Sequence, residues 1–399
     1  MPLFKSRIKD ALAERRKQGL TRQLQVLNKS NGPFLAHEGA NFINFSSNDY
    51  LGLANDPELV KVWQAGLAQY GAGSAASPLV TGFSSAHRNL EAQLCEWLGF
   101  ERAILFSSGF SANQALLFSL IEKDDYLLQD KLNHASLIEA GMLSPATMKR
   151  FKHNDTQNLE SLLSRSPPSL VVTEGVFSMD GDQAPLSQIS NLTHQYDSWL
   201  AVDDAHGIGV LGDKGAGSCS AAQISPDILV VTFGKAFGLS GAAILCSADV
   251  GDYLTQFARH HVYSTALPPA QAVALSHACQ MIQTQEWRRE KLMELGALYA
   301  EQMSRVKGFI DTQTPIKPFV IGDAQAALSI AEELKRNQVW VTAIRPPTIP
   351  TGTARLRITL TASHSQEQIL QLTQSLRQAI ERNIEPVVNA NLASNREAQ

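Results

Sequence analysis

What most constrains this chain is a series of short apolar runs, rich in β-branched residues, each ending in a polar or glycine-bearing turn. They stand at residues 103–106 (AILF), 126–128 (YLL), 170–173 (LVVT), 199–203 (WLAVD) and 228–232 (ILVVT), with helical stretches between them. Continuous apolar runs of this length suit strands buried on both faces. Strands alternating with helices imply an α/β fold, a mainly parallel sheet covered by helices. Ligands of such sheets bind beyond the carboxyl ends of the strands, so the residues just after each run are where chemistry is expected.

Two of these ends are unusual. Residues 199–203 end in Asp203, with His206 just beyond, and residues 228–232 end in Thr232. Lys235 follows among Gly234, Gly238 and Gly241, ahead of another apolar run at 242–245. A lysine between buried runs loses water, which lowers its pKa, and a neutral amine forms Schiff bases. The glycines let the backbone approach a ligand closely. A lone Gly-Lys pair usually marks a solvated loop; the acid and the histidine at the preceding strand end set this one apart. Residues 103–106 lead into Ser107, Ser108, Gly109 and Phe110, and a helix is expected from Ser111, where Gln114 completes a capping-box pattern. A glycine turn feeding a helix N-terminus suits an anion, with phosphate the natural guest.

Composition excludes several classes. The 399 residues are 44% hydrophobic and 18% charged, with a formal net charge of −4. The short basic run Arg15, Arg16 and Lys17 reads as a solvated helix face, so no nucleic-acid partner is expected. No apolar run approaches the ~18 residues that span a bilayer, and the first residues lack the apolar centre of a signal peptide. Cys95, Cys219, Cys246 and Cys279 are scattered without metal-ligand spacing and read as reduced core thiols, so a cytoplasmic location and no metal are expected. The run Gly207, Gly209, Gly212 fits G-x-G-x-x-G, but residues 213–217 (DKGAG) do not read as the start of a helix, and the next strand ends at Thr232 rather than at an acid. A dinucleotide site is therefore not expected.

The spacing of Phe4, Ile8, Leu12, Leu20, Leu24 and Leu27 predicts one helix over residues 4–28. The expected organisation is an N-terminal helix and short strand at 1–45, a large domain at 46–280, a small α/β domain at 281–384 and a disordered tail at 385–399.

The motifs SNDYLGL (47–53), SSGFSAN (107–113), NHAS (133–136), TEGVFSMDGD (173–182), VDDAHG (202–207), TFGKAFG (232–238) and AIRPPTIPTGTARLRITL (343–360) succeed one another in this order. Together they resemble the α-oxoamine synthases, pyridoxal-phosphate enzymes of the aspartate aminotransferase fold (fold type I). The resemblance runs from about residue 5 to 380. It implies condensation of an amino acid with an acyl thioester and loss of CO2. Residues 343–357 and 171–182 resemble the branch of the family that joins L-alanine to a pimeloyl thioester of CoA or a carrier protein. A sibling that takes glycine, with an acetyl or succinyl donor, is the alternative.

The resemblance also implies roles for single residues. Lys235 would hold the cofactor covalently and move the α-proton, Asp203 would pair with the pyridine nitrogen, and His206 and Ser178 would contact the phenolic oxygen. His134 would stack on the ring, while Gly109, Phe110 and Thr232 would bind the phosphate. Arg357 would clamp the amino acid carboxylate, with Arg345 and Asn48 nearby and Thr348 and Arg22 on the acyl side. Thr265, with Tyr263 and Ser264, would reach a neighbouring subunit's phosphate, implying a homodimer with shared active sites. The chain departs from the family pattern at Ala75 and Pro78, in a loop where glycine is usual, and at Ile208, where a small polar residue is common; the first two are expected to stiffen their loop.

Overall fold

The computed structural model describes residues 3–18 and 20–383. Helix α1 (Leu3–Lys17) buries none of its residues. It stops well short of the expected end at residue 28, and residues 20–27 take no helical conformation. Leu24 and Val26 stand in solvent at 102% and 80% exposure, so the apolar spacing there does not mark a packed helix face. The tail expected at 385–399 lies outside the described residues.

Strands β1 (Phe34–His37) and β2 (Ala40–Asn44) form a hairpin. Helices α2 (Pro57–Tyr70) and α3 (Ser85–Leu98) come next. Asp56 caps α2 through its side chain, and proline at its first position costs no hydrogen bond. The main sheet then assembles from β3 (Arg102–Phe106), β4 (Tyr126–Asp130), β5 (Thr147–Phe151), β6 (Leu170–Glu174), β7 (Trp199–Asp203), β8 (Ile228–Thr232) and β9 (Ala242–Cys246). Its order is β3-β9-β8-β7-β6-β4-β5. Neighbours from β8 to β5 pair in parallel, and β9 runs antiparallel between β3 and β8. All five residues of β8 and of β9 are buried, which is why both read as unbroken apolar runs.

Strands β10 (Ile316–Gly322), β11 (Val339–Trp340), β12 (Thr342–Ile344) and β13 (Ala354–Thr359) lie in the last third of the chain. Among the described residues, β10, β13 and β12 form an antiparallel sheet, while β11 pairs in parallel with β2, Val339 opposite Ile43. The N-terminal hairpin is thus built into a sheet with a strand from the far end of the chain.

The run Gly207–Gly212 closes around a buried carboxylate. Asp204 accepts from the Ser218 backbone N–H at 2.7 Å and the Ser218 hydroxyl at 2.5 Å. A Cβ on Gly207 would sit 2.2 Å from Asp204 Oδ1, and one on Gly217 2.0 Å from Oδ2. These two glycines are required by close approach to Asp204. The loop at 71–82 is anchored, with Ser74 Oγ donating to Ala266 O at 2.5 Å and the Ala266 N–H to Ala76 O at 2.9 Å. Ala75 takes φ +57°, the left-handed region that glycine enters without cost.

Candidate active site

The carboxyl ends of β3, β6, β7 and β8 open on one cavity of about 250 Å³. Its lining includes Gly109, Phe110, His134, Asp203, His206, Thr232 and Lys235, so the structure brings seven of the expected site residues together. It also includes Asn113 and Glu174, which sequence reasoning did not single out.

Helix α4 (Gly109–Leu120) starts at Gly109, two residues before the position expected from sequence. Its cap is Ser108, whose hydroxyl accepts from the Ser111 N–H while the Ser111 hydroxyl accepts from the Ser108 N–H. A serine in both roles forms the box, so the sequence signal placed at Ser111 and Gln114 was off by one turn. A Cβ on Gly109 would lie 2.5 Å from Thr232 Cγ2. Thr232 Oγ1 is buried with no hydrogen-bond partner among the described residues. An orphaned hydroxyl beside the first turn of a helix, where backbone N–H groups lack internal acceptors, is a cradle for a phosphate.

Asp203 is 5% exposed; Oδ2 accepts from Asn113 Nδ2 at 2.7 Å and Oδ1 from the Ala205 N–H at 3.0 Å. Asn113 also donates to Ser136 Oγ at 2.9 Å, and Ser136 Oγ lies 2.8 Å from His134 Nδ1. The Ser136 N–H donates to the same nitrogen at 3.3 Å, so the neutral His134 ring carries its proton on Nε2. Burial pushes the His134 pKa below its ordinary value, against the pull of Asp203.

Lys235 is shifted downward, first by burial and then by the Arg357 charge, while Asp203 and Glu174 oppose the shift. This is the direction a Schiff-base lysine requires. His206 is pushed well below its ordinary value by burial, reinforced by Lys235, Arg357 and His134. Its Nδ1 lies 2.6 Å from the hydroxyl of Tyr50, a fully buried tyrosine to which the sequence assigned no role.

Arg357, on β13, is 8% exposed. Its Nε donates to Ser178 O at 2.7 Å, and its Nη1 to Asn48 Oδ1 at 3.0 Å and Thr359 Oγ1 at 3.1 Å. Ser178 is therefore held through its carbonyl, and Ser178, Asn48 and Arg357 stand outside the lining of the cavity itself. So do Arg345, Thr348 and Arg22. Arg345 is half-buried and accepts the Thr348 N–H at its carbonyl, Thr348 and Arg22 are exposed, and Thr265 is exposed beside Ser264.

The donors present fit pyridoxal 5′-phosphate: an orphaned hydroxyl at a helix N-terminus for phosphate, a buried carboxylate for a ring nitrogen, and a lysine biased toward the neutral amine. Known proteins agree. The family model for aminotransferase class I and II matches residues 40–376, and the chain belongs to that family. A relative from Vibrio atlanticus (strain LGP32), an 8-amino-7-oxononanoate synthase, is 84% identical over 100% of both chains. The solved 8-amino-7-oxononanoate synthase of Francisella tularensis is 30% identical over 86% of this chain and 98% of its own, with a TM-score of 0.75. A lysine-to-alanine variant of serine palmitoyltransferase from S. paucimobilis, solved with a bound PLP–myriocin aldimine, is 27% identical over 94% of this chain and 98% of its own, with a TM-score of 0.88. Within the family, the chain belongs with the 8-amino-7-oxononanoate synthases.

Proposed function

We propose that this protein condenses L-alanine with a pimeloyl thioester, of CoA or of a carrier protein, giving 8-amino-7-oxononanoate, the free thiol and CO2 in biotin biosynthesis. The observation that carries the reading is Lys235 and Asp203 facing one cavity in a chain 84% identical, end to end, to an enzyme of that name. Bound pyridoxal 5′-phosphate supplies an aldehyde for an amine to join and a ring that takes up the electrons of the bonds broken at Cα.

The chain's own residues supply the rest. Lys235 Nζ is the amine that holds the cofactor and, once displaced by L-alanine, the base that takes the Cα proton and later returns one. Asp203, fixed by Asn113 and the Ala205 N–H, holds a proton on the pyridine nitrogen. His134 covers the ring face and His206 contacts the phenolic oxygen, joined there by Ser178. The Gly109 and Phe110 N–H groups and Thr232 hold the phosphate. Arg357 binds the alanine carboxylate with Asn48 beside it, since a guanidinium fork matches a carboxylate. Arg345, Thr348 and Arg22 serve the acyl substrate.

The second body of the active site is read as a second copy of the chain. Tyr263 is 76% exposed and Thr265 exposed, which suits a segment reaching a neighbouring subunit's phosphate. The division at residues 46–280 and 281–384 is read as a cofactor domain and a small domain that carries Arg357. No helix among the described residues is long and apolar enough to cross a membrane, and the enzyme is read as cytoplasmic.

The test is thiol release after adding L-alanine and then pimeloyl-CoA to the PLP-loaded protein, with glycine and shorter acyl-CoAs in parallel. Free CoA with L-alanine and the pimeloyl donor supports the reading. Turnover only with glycine and acetyl- or succinyl-CoA moves it to a sibling reaction. A protein that takes up no PLP overturns it.

A further inference from the structure

Tyr50 lies in the turn after β2, and its hydroxyl is enclosed by two groups from distant parts of the chain. His206 Nδ1 stands 2.6 Å away, and the positive Arg357 side chain is close enough to act electrostatically on the same oxygen. The rings are 6.0 Å apart and inclined at 53°, so they meet through these polar atoms and not by stacking. Tyr50 is 0% exposed, so no bulk water completes the set.

The donors and acceptors then have one consistent arrangement. A tyrosine hydroxyl has one hydrogen to place. The Tyr50 hydrogen goes to the acceptor in reach, His206 Nδ1. If Nδ1 carried a proton instead, the Tyr50 hydrogen would be buried without an acceptor, an arrangement native interiors avoid. We propose that Tyr50 is a positioning residue that fixes His206 in the tautomer protonated on Nε2.

The consequence for chemistry rests on the proposed role of His206 toward the cofactor. His206 lines the cavity. With Nδ1 occupied by Tyr50, the nitrogen left to the cavity is Nε2, and it arrives there as a donor. A donor favours the ionised phenolic oxygen; the opposite tautomer would set a lone pair against it. Burial and the Lys235 and Arg357 charges disfavour the doubly protonated ring, which leaves the two neutral forms to choose between. Tyr50 also joins two parts of the chain that the sequence separates widely, the turn after β2 and the imidazole at His206.

The tautomer can be read directly. Full-length protein labelled with 15N-histidine, with and without PLP, gives separate signals for protonated and unprotonated ring nitrogens, and His206→Asn assigns them. The expected wild-type result is a protonated Nε2 and an unprotonated Nδ1 at His206. Tyr50→Phe keeps the ring and removes the hydroxyl; the single-tautomer pattern should be lost, and the visible band of the PLP-loaded protein should change at fixed pH. Should Tyr50→Phe not fold, 3-fluorotyrosine at position 50 keeps the shape, strengthens donation and should move the Nδ1 signal. A proton on Nδ1 in the wild type, an unchanged pattern in Tyr50→Phe or an unmoved Nδ1 signal with fluorotyrosine overturns the proposal. Failure to take up PLP would instead count against the proposed function, and the tautomer would still be measured.

Discussion

Glu174 and Asp203 are register partners at the ends of adjacent parallel strands, so two buried carboxyl groups stand side by side at the cavity. Burial and then the Asp203 charge push Glu174 well above the usual carboxylate range, which favours its neutral form. One of its oxygens accepts the His134 backbone N–H, while Oε1 has no partner among the described residues. Glu174→Gln keeps the shape, the neutrality and an acceptor, and its thermal stability should stay close to wild type. Glu174→Ala strands the His134 N–H and should cost about 1–3 kcal/mol. Paired melting curves of the two variants check this; equal losses would contradict a neutral Glu174.

Arg357 offers a second test. Its guanidinium meets Ser178 O, Asn48 and Thr359, a set that a lysine ammonium cannot reproduce. Arg357→Lys should raise the KM for L-alanine at least about tenfold, the scale of one charge-assisted hydrogen bond lost. The KM for the acyl thioester should move far less. Steady-state thiol release at varied L-alanine reads both.

Gly109 and Thr232 make a pair of compensating changes possible. Gly109→Ala sets its Cβ against Thr232 Cγ2, and overpacking of this kind costs about 1–3 kcal/mol. PLP affinity should fall with it, because the helix start that cradles phosphate is displaced. Thr232→Ser removes the offending methyl and keeps the hydroxyl. PLP titration of the single and double variants should show the double variant binding more tightly than Gly109→Ala alone; no recovery would mean the contact does not set the cradle.

His153 predicts a pH dependence of stability. Its Nδ1 lies 3.0 Å from Asp130 and its Nε2 2.7 Å from Asp182. Burial disfavours its charge, but the two carboxylates outweigh burial and raise the pKa from 6.5 to about 10. A folded-state pKa above the unfolded one stabilises fully below the unfolded value and is lost as pH rises through the folded value. The stability lost in His153→Gln should therefore be largest below pH 6.5 and should narrow toward pH 10. Melting temperatures of both proteins across that range decide it.

How legible this was in the sequence differs from part to part. Strands β3, β4 and β6 to β9 could be read because their residues are mostly buried and carry apolar runs, and Lys235, Asp203 and His206 could be read because they stand at or just after the ends of such runs. Strand β5, with the sequence TMKRF and only Phe151 buried, was missed. Tyr50, Asn113 and Glu174 did not stand out, although each lies inside one of the family motifs. Their contribution depends on which buried polar atom meets which, as with Asn113 between Asp203 and Ser136, and spacing along the chain carries no record of that. The end of α1 was misplaced because Leu24 keeps helical spacing yet stands in solvent. The pairing of Ile43 with Val339 had no local signal, since β11 is two residues long.

That pairing bears on how the chain is made as well as how it stands. Translated from its N-terminus, β2 emerges long before its parallel partner β11 exists. At ribosomal rates of about 5–20 residues per second, the hairpin waits roughly 15–60 s with one edge unpaired. The main sheet, complete at β9, has all its strands available in that interval. The order of birth therefore favours a nascent chain whose central sheet is formed first, with its opening segment fastened last, by the arrival of β11.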